Sequence, residues 1–227
     1  MTADASWLEN MPEFYDRCLG PALFAPYASH LAGIAEAHAP ESVLEVAAGT
    51  GVLTAELVRA LPTARITATD LNAAMVAWAA HRVPGASWLV ADAGCLAFPD
   101  GCFDLVVCQF GVMFFPDKPT AFAEAARVLR PDGRFLFTVW DSVDTSQFPA
   151  ALVAALAEVI PADSPDFVVR IPHGYSDPGR IRRDVAAGGL TVESIERLVL
   201  RGSAPSARVD GALPRSTSRS KIGRAHV

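Results

Sequence analysis

The chain has 227 residues, 51% of them hydrophobic and 19% charged, with a mean hydropathy of +0.27. This composition excludes a disordered chain and allows one α/β domain with a sizeable core. The formal net charge of -6 argues against nucleic-acid binding through a basic surface, and the absence of any run of about 18 apolar residues argues against a membrane span.

The first ten residues contain Asp4 and Glu9 and lack a basic start followed by an apolar run, so no secretory signal is expected. Residues 12–38 read as two helical segments, because Ala22, Leu23, Phe24, Tyr27, Leu31 and Ile34 recur at helical spacing. They form an N-terminal helical cap over residues 1–40, which Pro40 ends. Strand and helix then alternate. Residues 43–47 predict a strand, 51–60 a helix stopped by Pro62, 65–69 a strand and 73–82 a helix stopped before Pro84. Residues 86–90 and 103–109 predict further strands. A helix follows at 118–129, a turn at Pro131-Asp132-Gly133 and a strand at 134–140.

Short connections between apolar strands imply a mostly parallel, doubly wound sheet with helices on both faces. The domain is expected to run from 41 to 207, with another helix at 147–159, a loop-rich lid insertion at about 161–180, a helix at 181–187 and a strand at 191–200. The cysteines Cys18, Cys95, Cys102 and Cys108 form no Cys-x-x-Cys pair and have no histidine at zinc spacing. They read as reduced thiols of a cytoplasmic protein, with no metal expected.

The chemistry concentrates at strand ends. Gly49 and Gly51 follow the first strand and open a helix, where the backbone turns sharply and unpaired N–H groups are available to a ligand. Taken alone, this is equally a plain tight turn. The second strand ends in Asp70, about 20 residues on, where a carboxylate could accept from both hydroxyls of a ribose. Asp70 could instead cap the next helix, although Asn72 could do that equally well. The third strand ends in Asp92-Ala93, which could read an adenine edge or simply form a turn. Such strand ends converge on one crevice.

In order, Glu45-x-Ala47-x-Gly49-x-Gly51, Asp70, Asp92-Ala93 and Leu129-x-Pro131-x-Gly133 resemble the motifs of class I S-adenosylmethionine-dependent methyltransferases. The similarity is to the small-molecule type grouped with the ubiquinone and menaquinone methyltransferases and covers about residues 12–200. It implies a Rossmann-like fold, S-adenosyl-L-methionine as cofactor and methyl transfer to a small-molecule acceptor. By that resemblance Glu45 supports the loop and helps recognise the methionine amino group, and Ala47 replaces the first glycine of the common pattern. Gly49 and Gly51 shape the methionine and ribose site, and Asp70 binds the ribose. Leu71 and Met75 flank the adenine, Asp92 and Ala93 read its edge, and Gln109 with Phe110 and Gly111 faces the methionine tail and acceptor.

A nicotinamide-dependent oxidoreductase would share the fold and the ribose acid, but its fingerprint needs a small residue where Thr54 stands. A non-catalytic nucleotide-binding protein is a third reading. Phe14, Tyr15 and Phe24 could roof the site, together with the apolar loop 109–115 or the segment 170–175. Methyl transfer needs alignment, desolvation and at most removal of one proton, so no catalytic triad is expected. His173 and Tyr15 are the candidates for a base.

The resemblance also implies a last strand closing the sheet, and the sequence after Leu200 suggests none, with a polar run at 215–220. Residues 221–227, Lys-Ile-Gly-Arg-Ala-His-Val, can be encoded by AAGATCGGAAGAGCACACGTC, which looks like a short-read sequencing adapter. The final strand is therefore expected to be missing, and 208–227 to be a disordered, non-native tail.

Overall fold

The computed structural model describes Glu13, residues 15–145, Ala150, residues 167–201 and residues 221–226. The strands in chain order are β1 (Ser42–Val46), β2 (Arg65–Asp70), β3 (Ser87–Val90), β4 (Phe103–Gln109), β5 (Leu129–Trp140), β6 (Arg197–Arg201) and β7 (Lys221–His226). They form one sheet in the order β3-β2-β1-β4-β5-β7-β6. The first five are parallel, with Leu44 of β1 opposite Thr67 on one side and Val106 on the other.

Alternation along the central strands divides the core between the two faces of the sheet. Leu44, Val46, Val106 and Cys108 belong to one cluster, with Tyr27 and Phe122. Val43, Leu105 and Val107 belong to the other, with Leu31, Leu53 and Leu57. All five residues of β1 are buried, as its place between β2 and β4 demands. The longer α-helices are α1 (Ala25–Ala37), α2 (Val52–Ala60), α3 (Ala73–Arg82), α4 (Lys118–Val128) and α5 (Pro178–Ala187), with a single helical turn at Phe167–Arg170. Among the described residues, no helix is long and apolar enough to cross a membrane.

Several boundaries depart from expectation. The first helical segment, Tyr15–Phe24, is a π-helix with Pro21 inside it; a proline removes a backbone donor and disturbs the regular ladder. The helix 118–129 stops at Val128, and Leu129 already pairs with Phe103. The register then jumps to Leu105 opposite Arg134, so the predicted turn survives as an irregularity within β5. The strand read at 191–200 begins only at Arg197. The expected helix 147–159 lies outside the described residues apart from Ala150, as does the lid insertion up to residue 166.

The tail requires a correction. Lys221–His226 is a strand, antiparallel to β6 over five paired residues and to β5 at Val139 and Trp140. Strand pairing is made by backbone N–H and C=O groups, so a polar segment can take the place between β5 and β6. The expectation of a missing final strand is thereby overturned, along with the support it lent to a disordered, non-native tail. Residues 202–220 lie outside the described residues.

Candidate functional site

The carboxyl ends of β1, β2, β3 and β4 open onto one cavity of about 370 Å³. Of the twelve residues singled out from sequence for the cofactor and acceptor, eleven line it: Glu45, Ala47, Gly49, Asp70, Leu71, Met75, Asp92, Ala93, Gln109, Phe110 and Gly111.

The loop after β1 is wound by three left-handed residues, Ala47 (φ 54°), Gly49 (φ 56°) and Gly51 (φ 83°). Alanine at such a φ costs roughly 1–2 kcal/mol, so the replacement at 47 keeps the turn under strain. A close approach explains the packing beyond it, since a Cβ added at Gly111 would fall 2.6 Å from both Ala47 Cβ and Cys108 Sγ. Gly51 is the residue that does not line the cavity. It precedes α2, and a Cβ there would stand 3.0 Å from the Trp88 ring. Its glycine is required by backbone conformation and packing.

Glu45 is 1% exposed, and Thr54 Oγ1 donates to its Oε2 at 2.6 Å. Burial pushes its carboxyl up to about 8, against the Thr54 hydrogen bond, with Asp70 adding in the same direction as burial. Asp70 binds backbone rather than capping the helix. Its Oδ2 accepts from Gly49 N–H and its Oδ1 from Asn72 N–H, both at 2.8 Å. The cap of α3 is Asn72, which accepts from Ala74 N–H at 2.9 Å. Leu71 beside it is 70% exposed, an apolar surface at the cavity mouth. Asp92 is exposed and accepts from Gly94 N–H at 2.8 Å, a local turn.

Gln109 Nε2 donates to the Phe24 carbonyl at 3.0 Å, tying the end of β4 to the end of the π-helix. Its Oε1 is buried without a hydrogen-bond partner among the described residues, as is Thr50 Oγ1. Both residues line the cavity. Buried orphan polar atoms are costly unless something else satisfies them. The lining also has an apolar part, with Phe24, Phe110, Phe114, Phe115 and Pro116. Phe110, left-handed at φ 53°, stacks on Trp140 at 3.7 Å between ring centroids.

The candidate bases fare differently from the residues that line the cavity. His173 is buried beside Trp140, its Nδ1 2.6 Å from the Asp141 carbonyl oxygen, and it does not line the cavity. Burial lowers its pKa. Tyr15 lies in the π-helix, but its side chain falls outside the description, as does Phe14. Sequence reasoning missed Thr50 as a site residue and the role of Thr54 as partner of a buried acid. Their position inside the glycine turn and first helical turn was the available signal. No group of three or more potential metal ligands occurs among the described residues.

Residues 44–137 match the family model for the methyltransferase domain. The chain is 38% identical over 128 residues to a malonyl-[acyl-carrier protein] O-methyltransferase of Geobacter sulfurreducens, covering 55% of this chain and 48% of the relative. It is 35% identical over 130 residues to a demethylmenaquinone methyltransferase of Deinococcus radiodurans, covering 55% and 54%. The chain thus spans about half the length of these curated relatives. Among solved structures it resembles the YcgJ protein of Bacillus subtilis, with a TM-score of 0.57 at 20% identity over 87% of this chain and 95% of that one. A structure described for the conversion of a disulfide bond into a thioacetal group during echinomycin biosynthesis gives a TM-score of 0.59 at 22% identity, over 87% and 80%. At such identities these two show the fold alone.

Proposed function

We propose that this chain, whose residues 44–137 match the family model for the methyltransferase domain, binds S-adenosyl-L-methionine and transfers the methyl group to a small-molecule acceptor by in-line displacement. The observation that carries this reading is the meeting at one cavity of Glu45, Asp70, Asp92 and the two orphan atoms Thr50 Oγ1 and Gln109 Oε1. These fit the cofactor. Glu45 and Gln109 Oε1 offer acceptors for its ammonium group, Asp70 keeps lone pairs for ribose hydroxyls, and Leu71 and Met75 provide apolar cover for a purine.

When bound, the cofactor supplies a sulfonium methyl whose leaving group is a neutral thioether, so no acid is needed on that side. The chain's residues bind, orient and exclude water. The apolar wall of Phe24, Phe110, Phe114 and Phe115 is the surface against which an acceptor would lie. Thr54 argues against a nicotinamide cofactor, because the place for a small residue is taken by a hydroxyl that holds Glu45.

Calorimetry with S-adenosylmethionine, S-adenosylhomocysteine and NAD tests the cofactor; binding of NAD alone overturns the reading. Tritiated cofactor offered to quinols, phenols, carboxylates and amines tests the acceptor. Label appearing only in protein or nucleic acid rules out a small-molecule acceptor.

A further inference from the structure

We propose that Lys118 is a positioning residue for the acceptor-side wall of the cavity, holding residues 112–116 through its ammonium group. Lys118 opens α4, where Asp117 caps the helix by accepting from Thr120 N–H at 3.1 Å. A cation in a first helical turn opposes the helix dipole, so local helix stability does not explain a lysine there.

The ammonium turns back onto the preceding segment instead. It donates to the Phe115 carbonyl at 2.9 Å and the Met113 carbonyl at 3.3 Å. It also lies 4.7 Å from the centre of the Tyr175 ring, which the Arg180 guanidinium approaches at 5.2 Å. Tyr175 is 2% exposed, so the contact is shielded from water. Burial lowers the Lys118 pKa, with Arg180 acting in the same direction and Asp184 opposing.

The two carbonyls belong to the turn that presents Phe114, Phe115 and Pro116 to the cavity. Backbone bonds hold this turn at Phe114 N–H to Gly111 O, 2.9 Å, and Phe115 N–H to Val112 O, 3.2 Å. Phe114 is 51% exposed and gains little anchoring from burial. Lys118 itself does not line the cavity. It therefore acts through the turn, fixing where the aromatic wall stands and joining it to the 171–175 segment by way of Tyr175.

The inference rests on the reading of this cavity as the methyl-transfer site. The experiment is amide hydrogen exchange on the full chain saturated with S-adenosylhomocysteine, comparing wild type, Lys118→Met and Lys118→Arg. Lys118→Met should speed exchange at 112–115 by about tenfold or more and leave β1 and β4 unchanged. Affinity for S-adenosylhomocysteine should stay within about threefold, and Lys118→Arg, which can donate to both carbonyls and stack on Tyr175, should restore protection. Unchanged exchange at 112–115, or equal acceleration there and in β1 and β4, overturns the proposal. If Lys118→Met does not fold, Tyr175→Leu carries the test, with an expected acceleration of about two- to fivefold confined to 112–115. Failure of wild type to bind S-adenosylhomocysteine would instead sink the functional reading, and the exchange comparison without ligand would still judge Lys118.

Discussion

The backbone N–H of Gly49 donates to Asp70 Oδ2 at 2.8 Å, so the acid that ends β2 holds the loop that follows β1. The same carboxylate accepts from Asn72 N–H. Its proposed ribose contact and its loop contact are thus made by one group. Asp70→Ala should weaken S-adenosylhomocysteine binding by roughly 10- to 100-fold through lost charge-assisted bonds. Asp70→Asn, which keeps one carbonyl acceptor, should lose less. Unchanged calorimetric affinity in Asp70→Ala would remove Asp70 from the site.

Glu45 makes binding depend on pH. With its carboxyl pushed up to about 8 by burial, it is largely protonated at neutral pH in the free protein. A cationic ligand favours the carboxylate, so affinity should rise up to about tenfold per pH unit below 8 and level off above it. Stability runs the other way. The folded pKa is raised, so the contribution of Glu45 is fully present below its unfolded value near 4.5 and is lost as pH climbs through 8. Glu45→Gln should flatten both profiles, raise the Tm at pH 8 and weaken cofactor binding. Parallel pH profiles for wild type and variant would show that another group is responsible.

The two glycines of the turn should separate by phenotype. A Cβ at Gly49 meets no atom within 4 Å but forces a side chain into φ 56° on the cavity wall. A Cβ at Gly51 meets Trp88 at 3.0 Å and lies off the wall. Gly49→Ala should mainly cost binding, and Gly51→Ala mainly thermal stability, each carrying about 1–2 kcal/mol of backbone strain. Thermal melts and titrations side by side decide it; equal loss of both properties in both variants would contradict the assignment.

His173→Ala should leave S-adenosylhomocysteine affinity and methyl-transfer rate within about twofold, because the ring does not line the cavity, lies beside Trp140 and bonds to the Asp141 carbonyl. It should lower the Tm by roughly 2–8 °C through loss of a buried hydrogen bond. A hundredfold slower turnover at unchanged Tm would return His173 to the reaction.

Deleting residues 221–227 should remove the strand that pairs with β6 and with Val139 and Trp140 of β5. The expected result is a lower Tm and a shifted Trp140 fluorescence, since an edge beside a buried indole becomes open. An unchanged melt would restore the reading of this segment as a tail that stabilises nothing.

The sequence by itself determined the alternation of strands and helices, a mostly parallel sheet, and a crevice at the strand ends marked by Gly49, Asp70 and Asp92. Those follow from short-range rules: apolar runs demand burial on both faces, prolines and glycines punctuate, and parallel strands bring their carboxyl ends together. The other cavity residues, Glu45, Ala47, Leu71, Met75 and Gln109 among them, were reached only through the resemblance to methyltransferase motifs. Tertiary structure alone decided which glycine faces the cavity and which packs on Trp88, why Thr54 matters to Glu45, and that His173 lies away from the site. It also placed β7 between β5 and β6, where backbone pairing with two non-adjacent segments outweighs a composition that carries no strand signal. Contacts between residues far apart along the chain depend on packing, and a local reading of spacing has no access to them.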